Sequence, residues 1–262
     1  MRYRSRRAGG QGGSAVLATV LLALAAAPGL AGAQGLAQRA QVRNGQVRLS
    51  YATRPEVCGN GRNVNIVRST DDWVSDCEHG PARLVLEWRG AILVSVRTYV
   101  GGHWRDAGTD VTDLGEVPPV AAADYLLDLA QQVPGGVGED LVFPATLADG
   151  VEVWPRLVTM ARDQALPRDT RKAAIFWLGQ AAGDRAVQAL GDLVDQSGAD
   201  VDVQEQAVFA LSQLRDGAGV EPLLEIARRH ANPRIRKSAM FWLAQSDDPR
   251  AVALFEDLLR SR

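Results

Sequence analysis

Ala174-Ile175-Phe176-Trp177-Leu178, Ala207-Val208-Phe209-Ala210-Leu211 and Ala239-Met240-Phe241-Trp242-Leu243 are three versions of one pentad, each followed two residues later by a glutamine, at Gln180, Gln213 and Gln245. The period is about 33 residues. A second apolar set keeps step with the first. Val187, Val220 and Val252 correspond, as do Leu190, Leu223 and Phe255, and then Leu193, Ile226 and Leu258. Two apolar helices in one register per period describe a helical hairpin too small to bury its own apolar face, so neighbours must stack into a continuous core. The expected core comprises Ala174, Phe176, Leu178, Val187 and Leu190, then Ala207, Phe209, Leu211, Val220 and Leu223, and finally Ala239, Phe241, Leu243, Val252 and Phe255. On this phase Phe209→Ala costs about 3–5 kcal/mol as a core truncation. Short polar turns at Gly183-Asp184, Asp216-Gly217 and Asp247-Asp248-Pro249 separate the paired helices.

The three hairpins span about 167–198, 200–230 and 232–262, within an array over 164–262. One period earlier, Phe143, Trp154, Leu157 and Met160 align with Phe176, Val187, Leu190 and Leu193. A degenerate unit therefore begins near Val137, its first helix shortened by Pro144. With a helix over Val120–Gln132 it forms a connecting and capping segment, 118–163. The quoted pentads, with Asp184-Arg185-Ala186-Val187-Gln188-Ala189-Leu190, resemble HEAT-like repeats of the short bacterial kind, the PBS-lyase or E-Z type. The resemblance covers about half of the chain beyond the leader and implies an α-solenoid used as a binding surface. It also implies that second helices line the concave side, which nominates Gln188, Asp192, Asp195, Glu221, Glu225 and Arg250 for a partner groove. Two enzymatic relatives set the alternative: bilin lyases, and deoxyhypusine hydroxylase with its iron-binding His-Glu pairs. Here the one adjacent pair, Glu78-His79, is reversed and lies outside the array, and the chain has three histidines.

Upstream, the periodicity changes to two. Leu84, Leu86 and Trp88 form one face of a strand, Ile92, Val94 and Val96 alternate with Leu93, Ser95 and Arg97, and Gly90 supplies the turn, predicting a hairpin over Ala82–Val100. Val47–Ala52 and Val64–Val67 add strands. The stretch 101–119 reads as a connection ending in Pro118-Pro119, so a small β-rich domain occupies 34–117. Its Cys58 and Cys77 are expected to pair in an exported protein. A metal reading would draw on Cys77, Glu78, His79 and His103.

The chain opens with Arg2, Arg4, Arg6 and Arg7, then an apolar run from Ala15 to Ala27, Pro28-Gly29, and Ala31-Gly32-Ala33. This pattern predicts a signal peptide over 1–33, cleavage after Ala33, and a periplasmic or secreted protein. No later apolar stretch is long enough to cross a membrane. Removing the leader leaves 25 basic residues against 31 acidic ones, a net charge of about −6, which disfavours nucleic acid.

Arg168, Arg171 and Lys172, and again Arg234, Arg236 and Lys237, precede first helices whose dipoles they oppose. Pairing with Asp169, Asp200 or Asp202 across repeats is one reading. A basic ledge for an acidic partner, centred on Arg171, Lys172, Arg236 and Lys237, is the other. Consecutive residues on a helix diverge by about 100°, so Phe176 and Trp177 cannot both sit at the centre of one buried face. Ala210 in the middle repeat is expected to interrupt any aromatic stripe. No nucleophile elbow, phosphate loop or His-Glu-x-x-His motif occurs. The sequence thus predicts a mostly α protein, an α-solenoid preceded by a small β-rich domain. Its expected role is an exported protein–protein interaction scaffold without catalysis or cofactor, with a lyase- or hydroxylase-type HEAT protein as the alternative.

Overall fold

A computed structural model describes residues 28–66, 77–134, 136–182, 185–196 and 200–260. The arginine-rich start, the apolar run Ala15–Ala27, Val67 and the turn Gly183-Asp184 lie outside these residues. The first helix, α1 (Pro28–Arg39), contains the expected cleavage position and packs on α2 (Pro119–Gln132), with Ala33 and Leu36 buried.

Between these helices the chain forms two sheets. Strands β1 (Gly45–Tyr51), β5 (Ala82–Arg89), β6 (Ile92–Tyr99) and β7 (Val111–Glu116) make a sheet of order β6-β5-β1-β7, while β2 (Val57–Asn60), β3 (Asn63–Ile66) and β4 (Glu78–His79) make a smaller one of order β3-β2-β4. The β5–β6 hairpin turns through Gly90 and Ala91, both at positive φ (60° and 64°) as a two-residue turn of this hand requires. A register shift at Glu87/Trp88 then reverses the expected alternation in β6. Leu93 opposes Trp88 and is buried, whereas Ile92 and Val94 face solvent. β7, within the stretch expected to be a connection, pairs parallel to β1. Cys58 and Cys77 form a disulfide with Cα atoms 5.3 Å apart, and the His79 ring lies 3.0 Å from the Val57 carbonyl.

The helical part comprises α3 (Val137–Asp140), α4 (Val142–Thr146), α5 (Trp154–Arg162), α6 (Arg168–Ala182), α7 (Ala186–Asp195), α8 (Val201–Ser212), α9 (Val220–Arg229), α10 (Pro233–Ala244) and α11 (Pro249–Arg260). First helices α6, α8 and α10 stack on one another, Gly179 permitting close approach to Ala210. Asp200 and Asn232 accept main-chain N–H bonds as N-caps of α8 and α10.

One hydrophobic core runs from the inner face of the large sheet (Val47, Leu49, Leu84, Leu86) through α2 and α4 into the stack. Backbone bonds join the two halves: Thr53 bridges Ala148, Arg54 N–H donates to Leu147 O at 3.0 Å, and Asp149 N–H donates to Ala52 O at 3.0 Å. The fully buried Tyr51 hydroxyl donates to Pro144 O at 2.6 Å, and burial raises its pKa. Tyr51→Phe removes this bond while Pro144 O keeps the Leu147 N–H at 3.1 Å, and is expected to cost about 0.5–1.5 kcal/mol in urea unfolding.

Candidate functional site

The first helices bury a stripe set one residue earlier than the sequence placed it. In α6 the buried positions include Arg171, Ala174, Ile175 and Leu178, with Thr170 beside them, and in α8 Gln204, Ala207, Val208 and Leu211, with Val203 and Ala210 beside them, the two named quartets each spaced i, i+3, i+4, i+7. α10 repeats the phase with Ala239 and Leu243 buried and Met240 half-buried. At about 100° per residue, Phe176, Phe209 and Phe241 point roughly 150° away from the middle of that stripe. Phe241 is accordingly 55% exposed, and Phe176 and Phe209 are half-buried on the outer face. Val252 is exposed, and Val187 and Phe255 are half-buried. These six positions are corrections to the expected core: the pentad's aromatic belongs to a surface.

That surface is continuous. Phe143 stacks on Trp177 (centroids 4.6 Å, planes 28° apart), Trp177 meets Phe176 edge-on at 4.9 Å, and Phe176 faces Phe209 at 6.3 Å. Phe209 then meets Trp242 at 4.9 Å, and Trp242 meets Phe241 at 5.0 Å. Ala210 does not interrupt the row, because Trp242 of the following repeat reaches back to Phe209. Six rings from α4, α6, α8 and α10 thus form one band along the first-helix layer. Where the band meets the large sheet there is a groove of about 500 Å3, walled by Val96 and Thr98 and by Phe143, Phe176 and Trp177, with Glu139 and Asp140 at the end of α3. Burial raises both carboxyl pKa values; Asp169 and Asp140 push Glu139 further up, and Lys172 opposes them.

The expected basic ledge is largely consumed by structure. Arg171 is buried, its Nε donating to Leu166 O at 3.3 Å, and Arg236 donates to His230 O at 2.7 Å. Gln204, at the equivalent position of the middle repeat, donates to Val194 O at 2.6 Å. All three donate to main-chain carbonyls that precede their own helix, Gln204 reaching the last turn of α7, a role that the change from arginine to glutamine hid. Arg168 and Arg234 form a ladder across repeats: Arg168 pairs with Asp200 at 3.0 Å and Asp202 at 2.8 Å, and Arg234 with Asp202 at 2.9 Å and Glu205 at 2.6 Å. Glu205 and Asp202 raise the Arg234 pKa. Asp202→Asn removes the carboxylate that the two arginines share, leaving Arg168 on Asp200 and Arg234 on Glu205, and is expected to lower Tm slightly, with the difference shrinking in about 1 M salt, where the Debye length falls to about 3 Å. Lys172 lines the groove, and Lys237 is exposed on α10.

On the second helices, Gln188 and Asp195 are exposed, while Asp192 pairs with Arg162 at 3.1 Å, Glu225 with Arg229 at 3.1 Å, and Glu221 with Arg250 at 3.6 Å. These acids neutralise local arginines. Among the described residues no three His, Cys, Asp or Glu side chains converge as metal donors. None of the described helices is long and apolar enough to cross a membrane.

Comparison with known proteins agrees with this geometry. A model of HEAT repeats matches residues 196–262, and one of the PBS lyase HEAT-like repeat matches residues 170–196. No curated protein and no solved structure gives a significant match. Two adjoining family matches over the stacked helices, together with the recurrent buried stripe, lead to one conclusion: the C-terminal region, residues 170–262, is built of HEAT repeats.

Proposed function

We propose that this protein is an exported scaffold that binds a protein partner through the aromatic band on its first helices. The band itself carries the proposal. Phe176, Phe209 and Phe241 sit on the side of the helices turned from the core stripe, with Phe143, Trp177 and Trp242 packed between them and the core, and Phe241 is 55% exposed. Aromatic side chains are the residues most often found as anchors of protein interfaces. Export is supported by the leader pattern and is compatible with the disulfide. This reading moves the docking face from the second helices, where Gln188, Asp192, Asp195, Glu221, Glu225 and Arg250 stand, to the first. The test is capture from envelope extract by the wild-type protein and by Phe209→Ser/Phe241→Ser. A partner retained by the first and lost by the second supports the proposal; a partner retained equally by both removes the band from the interface.

A second reading draws on the name of the repeat matched over residues 170–196. Incubation with a free bilin followed by native gel filtration distinguishes the two, since stoichiometric retention of the pigment by the protein would favour a lyase-type reading over the scaffold one.

A further inference from the structure

We propose that the groove between β6 and the first-helix layer receives an arginine side chain of the protein partner, its guanidinium lying in the Phe176–Trp177 corner and facing Glu139 and Asp140. This rests on the reading of the aromatic band as a docking face and adds the chemistry of what docks there. Three observations support it. Phe176 and Trp177 meet at 84°, so they form a corner and not a flat stack, and Phe143 behind Trp177 holds that ring in place. The space beside them, about 500 Å3, accommodates a side chain. Glu139 and Asp140 have no ion pair or side-chain hydrogen bond among the described residues, whereas Asp200, Asp202 and Glu205, one repeat further along, are all bonded to arginines.

The electrostatics agree in direction. Burial raises both carboxyl pKa values, and Glu139 is pushed further by Asp169 and Asp140. An arriving cation would reverse these shifts. Lys172 opposes the shift of Glu139 but forms no ion pair with either acid among the described residues. A guanidinium suits the place better than an ammonium: it is planar, less tightly hydrated, stacks on aromatic rings, and forks to carboxylates.

The probes are acetyl-Gly-Arg-Gly-amide and its citrulline counterpart, a neutral near-isostere, each titrated into the full-length protein. The readout is the indole N–H resonance of Trp177, assigned by Trp177→Phe. The arginine peptide should shift this resonance saturably, and the citrulline peptide should not. Glu139→Gln/Asp140→Asn, near-isosteric changes at side chains that the groove desolvates only in part, should weaken the arginine peptide at least about tenfold, or about 1.4 kcal/mol, with the circular dichroism spectrum unchanged. Equal shifts from the two peptides, an undiminished response in the double variant, or no response up to about 10 mM, a concentration that would detect even millimolar affinity, would each overturn the proposal. Capture separates this from the broader reading. If the carboxylate variant keeps the partner and the ring variant loses it, the arginine assignment fails and the docking face stands. If neither variant loses the partner, the docking face fails as well.

Discussion

Leu211→Ala is expected to lower the unfolding free energy by about 2–5 kcal/mol, the range for deleting a fully buried leucine and leaving a cavity. Leu211 is 0% exposed and closes the stripe Gln204, Ala207, Val208, Leu211 in the middle first helix, so the void opens where α8 packs between α6 and α10. Because each hairpin is stabilised by its neighbours, the loss should spread to both sides and broaden the thermal transition. Phe209→Ala, two residues away and half-buried, should cost only about 1–2 kcal/mol, mainly from its ring contacts with Phe176 and Trp242. Phe241→Ala should cost less again. Urea unfolding of the three variants decides the helix phase. If Phe209→Ala proves the most damaging, the stripe lies one residue later and the aromatic band is core after all.

Removing the disulfide through Cys58→Ala/Cys77→Ala is the second large effect. The bond closes a loop with a sequence separation of 19 and ties β2 to the start of β4. On the chain-entropy model a loop of about this size stabilises the folded state by about 3 kcal/mol. Without it the small sheet keeps little to hold it, since β4 is two exposed residues and β3 only half-packed. Far-UV helicity should survive while amide protection in β2 and β3 is lost. A parallel fall in helicity would mean that the small sheet also supports the stack.

How much of this was legible in sequence depended on whether a feature repeats. The array could be read because two helices kept one register three times over. The phase within each first helix could not, because Phe176, Phe209 and Phe241 looked like anchors in a row of apolar residues where all but the face is apolar. The signal was present in Arg171, Gln204 and Arg236: the position three residues before the pentad stays polar in every repeat yet lies in line with the buried stripe, bonding main-chain carbonyls. The continuity of the rings was hidden for another reason. Trp242 compensates for Ala210 from the next repeat, a contact 33 residues distant along the chain that no helical wheel displays. In the β region, the hairpin followed from alternation and Gly90, but the register shift in β6 and the parallel pairing of β7 depend on partners far away in sequence.

The bonds from β1 and its following segment to the α4–α5 connection, Thr53 with Ala148, Arg54 with Leu147, Asp149 with Ala52 and Tyr51 with Pro144, anchor one end of the stack in a sheet. A one-dimensional array held at one end frays from the other. Opening free energies should therefore descend along the chain from α4 and α6 towards α11, whose amides exchange first. The exposed ring of Phe241 belongs to the hairpin farthest from that anchor, so a partner gripping the band there would act as a second clasp and raise protection progressively back towards the sheet.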